Sequence, residues 1–127
     1  MFINAKELMD KLSEAVKKDT LKQTLKALSK VQLLIIDELS YVKMGKEKES
    51  IFFQVIRQRY EKSSLIITTN LPMSRWDEVF TGQLAATAIL DRLVHHCHII
   101  SITGDSFRVK GEKYLSDKVQ KKLKPKE

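Results

Sequence analysis

Leu33-Leu34-Ile35-Ile36-Asp37-Glu38 is the stretch on which the reading of this chain turns. Four consecutive apolar residues suit a strand buried on both faces, and the run ends abruptly in two adjacent carboxylates. Open α/β sheets bind ligands at the carboxyl ends of their strands, so side chains at that junction are the ones placed for chemistry. Nucleotide hydrolases put acids there, one carboxylate to hold magnesium and another to orient the attacking water. Asp37 and Glu38 are the candidates for those two tasks. A Gly-x-x-x-x-Gly-Lys-Ser/Thr phosphate loop, which normally lies upstream of such a strand, occurs nowhere in the 127 residues.

Working outward, Phe2-Ile3 closes a short strand, and Asn4 with Glu7 three residues on forms a helix start with Asn4 as cap. Leu8, Leu12 and Val16 recur every four residues through about Lys18, and Asp19 reads as the cap of a second helical stretch carrying Leu21, Leu25 and Leu28. After the acid-tipped strand a polar loop containing Gly45 leads into a helix from about Glu47 to Glu61. There Ile51, Phe52, Val55, Ile56 and Arg59/Tyr60 follow a repeat of roughly 3.6 residues and demand cover on one side. Leu65-Ile66-Ile67-Thr68-Thr69 is a second buried strand, ending at Asn70. Pro72 stops it, Trp76 to Phe80 reads as a short turn of helix, and Ala85 to His95 as a further helix. His98 to Ile102 and Phe107 to Val109 read as strands around a turn at Gly104-Asp105. Strands alternating with long helices imply an α/β fold, a parallel sheet with helices on both faces.

Composition bounds the rest. With 43% hydrophobic and 31% charged residues the chain suits one folded domain and not a disordered segment. Its apolar runs are too short to cross a bilayer and its start lacks a secretion pattern, so a cytoplasmic protein without membrane contact is expected. The single cysteine, Cys97, excludes an internal disulfide. His95-His96-Cys97-His98 would put only two ligands on one strand face, where structural zinc takes about four, and reads as no metal site. A net charge of +7 favours polyanions such as DNA, RNA or nucleotide phosphates, although simple solubility explains it almost as well. Five lysines and Pro125 in Lys118 to Glu127 read as a basic tail, so the organisation expected is one domain over 1–112 and a tail over 113–127. Lys17, Lys18, Lys22, Lys26 and Lys30 carry no interleaved aromatic residue and read as a solvated face.

If the 47 to 61 helix is the crossover, Asp37-Glu38 and Thr69-Asn70 are neighbouring strand tips sharing one crevice. An amide that positions water or the terminal phosphate would complete a hydrolytic set with the two acids. Arg92 adds a guanidinium suited to neutralising phosphate charge, often from a neighbouring subunit. Each signal has a plainer reading when taken singly. An Asp-Glu pair can cap the segment that follows, Asn70 before Leu71-Pro72 is a common turn former, and Arg92 beside Asp91 is an ordinary surface ion pair.

Their order along the chain favours the sharper reading. Leu33 to Tyr41, Phe53-Gln54-Val55-Ile56, Arg59-Tyr60-Glu61, Ile66 to Pro72, Trp76, Val79-Phe80, Leu90 to His96 and Gly104 to Arg108 together resemble the IstB/DnaC-type AAA+ proteins. The likeness favours the IstB branch, the ATPase helpers of insertion-sequence transposition, and covers about Phe2 to Lys110. It implies a partial P-loop NTPase (AAA+) core, with Asp37 and Glu38 matching the Walker B acids and Asn70 the sensor 1 residue. Arg92 matches the arginine of the Asp-Arg-Leu box, a candidate finger acting in trans, and Arg108 is similar to a phosphate-sensing arginine. The implied cofactors are ATP and magnesium, with Asp37 reaching the metal through water. The implied partners are DNA, sister subunits in a homo-oligomer, and a transposase, or a replicative helicase if the chain is a DnaC-like loader.

Family members show Gly-Tyr-Leu-Pro after the acids, where Ser40-Tyr41-Val42-Lys43 stands here. The family's phosphate loop lies on a strand and helix that would precede Phe2. The expectation is therefore the Walker B and sensor 1 part of an ATP hydrolysis site that does not grip a triphosphate unaided. A non-catalytic module that docks onto full-length subunits or DNA is the alternative. In the family's sheet that strand lies between the one ending at Asn70 and His98 to Ile102, so bare strand edges are expected there.

Overall fold

The computed structural model describes residues 1–95 and 97–104. Its elements are β1 (Phe2–Asn4), α1 (Ala5–Lys17), α2 (Leu21–Ser29), β2 (Leu33–Asp37), a 3-10 turn (Leu39–Tyr41), α3 (Lys46–Arg59), β3 (Ser64–Ile67), a second 3-10 turn (Met73–Glu78) and α4 (Gln83–His95). Asn4 starts α1 as its sequence position predicts, Oδ1 accepting from the N–H groups of Lys6 at 2.9 Å and Glu7 at 3.3 Å. Asp19 does not cap α2. It takes the left-handed conformation, φ 55°, that turns the chain past the end of α1, and Thr20 precedes α2 instead. Val16 leaves the apolar stripe and is exposed, while Met9 and Ala15 join Leu8 and Leu12 in the core.

The three strands run in the order β1-β2-β3, all parallel, with Ile3 opposite Ile36 and Ile36 opposite Ile67. Because side chains alternate, Ile3, Leu34, Ile36, Leu65 and Ile67 share one face, and Phe2, Leu33, Ile35 and Ile66 the other. The first face packs into the core with Leu8, Leu12, Phe52 and Val55 from the helices. The second is open: Phe2 is 66% exposed, Ile66 47% and Leu33 40%. Helices on both faces were expected, and among the described residues they cover one. Four apolar residues in a row satisfy a strand that needs cover twice, but which cover is present depends on elements elsewhere.

The sheet also ends sooner than expected. Residues 98–102 form no strand, and Ile99, Ile100 and Ile102 are exposed. A run of β-branched residues makes a strand only where an edge accepts its backbone, which these residues do not find. The strand expected at Phe107 to Val109, Arg108 and the tail lie outside the described residues. Trp76 and Phe80 are buried as expected, their ring centroids 6.3 Å apart, and Phe80 meets Phe52 at 5.8 Å. α4 lies along α3, beginning where Glu49 accepts from the N–H and the hydroxyl of Thr81, at 2.6 and 2.9 Å. No helix among the described residues is long and apolar enough to cross a membrane.

At the amino ends of the strands, Arg59 is 2% exposed. Its guanidinium donates to the carbonyls of Leu28 at 3.2 Å, Val31 at 2.7 Å, Gln32 at 3.1 Å and Ser64 at 2.7 and 3.2 Å. One side chain thus ties the end of α2, the entry to β2, the end of α3 and the start of β3. Burial lowers its pKa from the usual arginine value.

Candidate functional site

The opposite end of the sheet carries the chemistry-bearing residues. Register puts Asn4 beside Asp37, and the next step of the β2-β3 ladder brings Thr68 level with both. The Thr68 hydroxyl donates to Asp37 Oδ1 and accepts from the Glu38 N–H at 3.0 Å. Its backbone is equally committed: Thr68 N–H donates to Ile36 O and Leu39 N–H to Thr68 O, each at 3.0 Å. One threonine therefore fixes the orientation of the first acid and the turn that carries the second.

Glu38 leaves the strand in the left-handed region, φ 59° and ψ 46°, which a residue with a Cβ adopts only at a cost of about 1–3 kcal/mol. The Thr68 contacts hold that turn in place. It swings the Glu38 carboxylate toward Asn4, whose Nδ2 donates to Oε2 at 3.3 Å while its Oδ1 caps α1. Asn4 thus serves a helix and an acid with opposite ends of one amide. Asn4→Ala is expected to lower stability by about 1 kcal/mol through the lost cap, read as a shift in urea midpoint. Asn4→Asp should keep the cap and lose less, although it sets a carboxylate against Glu38.

Asn70 arrives at the same rim. Its N–H donates to Ser40 Oγ at 3.2 Å, in the turn after Glu38, and Leu71 N–H donates to Thr69 Oγ1 at 3.1 Å. Asp37, Glu38 and Asn70 are therefore gathered as their sequence positions imply. Thr68, Asn4 in its second role, and Ser40 were not singled out from the sequence. A threonine opposite an acid at adjacent strand tips was the available signal, and reading it required the register.

Arg92 is elsewhere. Its guanidinium lies over the rings of Phe53 at 5.3 Å and Tyr60 at 5.7 Å, and Tyr60 Oη meets His95 Nδ1 at 2.5 Å. Tyr60 follows Arg59 at the amino ends of the strands, so Arg92 is separated from Asp37 by the length of the sheet. The plain ion pair with Asp91 is not formed among the described residues, and the two rings attract the cation instead. A shallow groove lined by Phe53, Tyr60, Ala88, Asp91, Arg92 and His95 marks this end, and it does not reach the acids.

The donor set at the rim suits magnesium. Asp37 commits Oδ1 to Thr68, and Oδ2 accepts no hydrogen bond among the described residues. No group of three or more His, Cys, Asp or Glu residues among those described forms a closed cage. Nucleotide-bound magnesium needs none, since it takes one or two carboxylates and fills its other positions with water and phosphate.

A parallel sheet with flanking helices defines the class, an α/β fold shared with solved structures of DNA-replication proteins. The structure of DnaI superposes with a TM-score of 0.67 at 22% identity, over 80% of this chain and 56% of that one. AMPPCP-bound DnaA from Aquifex aeolicus does so with a TM-score of 0.66 at 16% identity, over 100% of this chain and 38% of that one. At those identities the likeness is one of fold.

Sequence narrows the class. The model of the IstB-like ATP binding protein family matches residues 1–114, and the chain belongs to that family. It is 45% identical over 109 residues to the insertion sequence IS232 ATP-binding protein of Bacillus thuringiensis subsp. berliner, covering 86% of this chain and 44% of that protein. To the insertion sequence IS21 ATP-binding protein of Pseudomonas aeruginosa it is 40% identical over 110 residues, 87% of this chain and 42% of that protein. The chain thus spans less than half the length of these relatives.

Proposed function

We propose that this chain supplies the acid-bearing rim of an ATP hydrolysis site in an IstB-like protein that assists DNA transposition. The observation that carries the reading is the convergence of Asp37, Glu38 and Asn70 on one rim, both acids held by Thr68 and Asn4. Asp37 would hold magnesium through water, and that ion would neutralise phosphate charge. Glu38 orients the attacking water and takes up its proton, and Asn70 positions that water or the terminal phosphate. Arg92, a sheet's length from its own acids, would act on a neighbouring subunit's site if the protein assembles as a homo-oligomer, as the resemblance implies. Arg108 is proposed as a phosphate-sensing residue on the resemblance alone.

The relatives' insertion-sequence names favour a transposase as partner over a replicative helicase, since the helicase-loader likeness is one of fold. A cytoplasmic location is proposed on the family resemblance; among the described residues no helix is long and apolar enough to cross a membrane. DNA is the second macromolecular partner, with the basic tail bound along its phosphates. Deleting Lys118 to Glu127 is expected to flatten the dependence of log affinity on log salt by about 0.9 for each phosphate that the tail neutralises. An unchanged slope in a fluorescence-anisotropy titration would place DNA on another surface.

The test of the hydrolytic reading is a chimaera in which this chain replaces the matching part of the IS232 relative. Magnesium-dependent release of phosphate from ATP is expected. A folded chimaera that binds ATP as the relative does, yet releases no phosphate, overturns the reading.

A further inference from the structure

At the carboxyl rim the tips of β2 and β3 are bonded to each other by their own hydroxyls, in both directions. From the β3 side, Thr68 gives its one O–H donor to Asp37 Oδ1 and accepts the Glu38 N–H at 3.0 Å. From the β2 side, Ser40 Oγ accepts the Asn70 N–H at 3.2 Å. Between them the Leu39 N–H donates to Thr68 O at 3.0 Å. Three successive residues of the turn, Glu38, Leu39 and Ser40, are thus tied to the end of β3, and Thr68 is itself anchored by its N–H to Ile36 O at 3.0 Å. The tie bears on Glu38 because a left-handed backbone, φ 59°, persists only where the surroundings impose it. It also selects an oxygen of Asp37, since Thr68 engages Oδ1 and leaves Oδ2 to meet a metal-bound water. Ser40 stands where the resembled family shows Gly, which carries no hydroxyl, so this half of the tie is the chain's own.

We infer that Thr68 and Ser40 are positioning residues, a reciprocal pair of hydroxyls that holds Asp37, Glu38 and Asn70 in one fixed arrangement. Neither acts on substrate; each acts through the residues it holds. Thr68 sets the orientation of the first acid and the backbone of the second, and Ser40 sets the main chain of Asn70 against the turn that carries Glu38. Both bonds bear on that one turn, so loss of either loosens what the other holds, and the two effects overlap where independent sites would add. For its effect on turnover the inference rests on the hydrolytic reading of the rim. There, a reacting group displaced by about 1 Å costs about 100-fold in rate, whereas the grip on the nucleotide lies with other residues. The effect therefore falls on kcat and leaves KM for ATP near its parent value.

The experiment compares Thr68→Val, which keeps the branched shape and removes the hydroxyl, with Thr68→Ser, Ser40→Ala and the double variant Thr68→Val/Ser40→Ala. Thr68 is exposed and Ser40 half-buried, so each variant should keep the circular dichroism of the parent. In the chain itself, amide hydrogen exchange is read at Glu38 and Asn70. Thr68→Val and Ser40→Ala should each speed exchange at both amides, about tenfold at the amide that loses its acceptor, and Thr68→Ser should restore protection. In the chimaera with the IS232 relative, Thr68→Val should lower kcat by about 10- to 100-fold and Ser40→Ala by about three- to tenfold, with KM within about twofold. Thr68→Ser should recover most of the turnover, and the double variant should fall by less than the product of the single effects. Exchange at Glu38 and Asn70 indifferent to both substitutions, Thr68→Ser behaving as Thr68→Val, or single effects that multiply in the double variant would each overturn the inference. A parent chimaera that releases no phosphate would count against the hydrolytic reading alone, and exchange at the two amides would still decide whether the hydroxyls hold the rim.

Discussion

Glu38→Gln in the chimaera is expected to lower ATP turnover by about 100- to 10,000-fold, the usual contribution of a positioned general base, while ATP affinity stays near that of the parent. The substitution keeps the length of the side chain and its hydrogen-bonding reach, and removes the proton acceptor. It also keeps the left-handed backbone turn at φ 59°, which Thr68 holds through the backbone and not through the Glu38 carboxylate. Loss of turnover with binding intact would therefore report chemistry and not misfolding. Phosphate release within a few-fold of the parent would remove Glu38 from the water-orienting role.

The largest effect on stability is expected at Arg59, where Arg59→Met should cost about 1–3 kcal/mol. Replacing a buried ion pair with apolar residues is often harmless because both charges disappear. Here the acceptors are the backbone carbonyls of Leu28, Val31, Gln32 and Ser64, which remain when the guanidinium is removed. Leu28 O and Gln32 O keep the N–H groups of Val31 and Ser64 as donors, so the desolvation penalty of about 1–3 kcal/mol falls chiefly on Val31 O, for which no other donor is found among the described residues. Against a domain stability of about 5–15 kcal/mol the loss is a large share of the whole. Arg59→Lys should recover only part, since three donors on a point charge do not reproduce a planar fork serving four acceptors. The check is the urea midpoint of each variant, and a loss under about 1 kcal/mol for Arg59→Met would show that solvent replaces these bonds.

Arg59 illustrates how sequence reading runs out. Its place on the buried side of α3 follows from helical spacing, but the spacing predicts an apolar neighbour and not an arginine bonded to the chain at four places. Thr68 is similar, legible as a strand residue and invisible as the partner of Asp37. Both roles are contacts between segments about 30 residues apart, and periodicity reports only on near neighbours.

By itself the sequence determined the local elements: the acid-tipped strand, the Asn4 cap, the apolar side of α3, the buried Trp76 and Phe80. It also determined that Asp37 and Glu38 stand at a strand end, because a strand ends where its apolar run ends; β3 likewise stops at Ile67, two residues short of the expected Thr69, and Asn70 lies in the turn beyond it. Only the tertiary structure decided the register that levels Asn4, Asp37 and Thr68, the distance that separates Arg92 from the acids, and the uncovered sheet face. Those depend on which backbone edges and apolar faces meet, a property of pairs of segments that no single segment encodes.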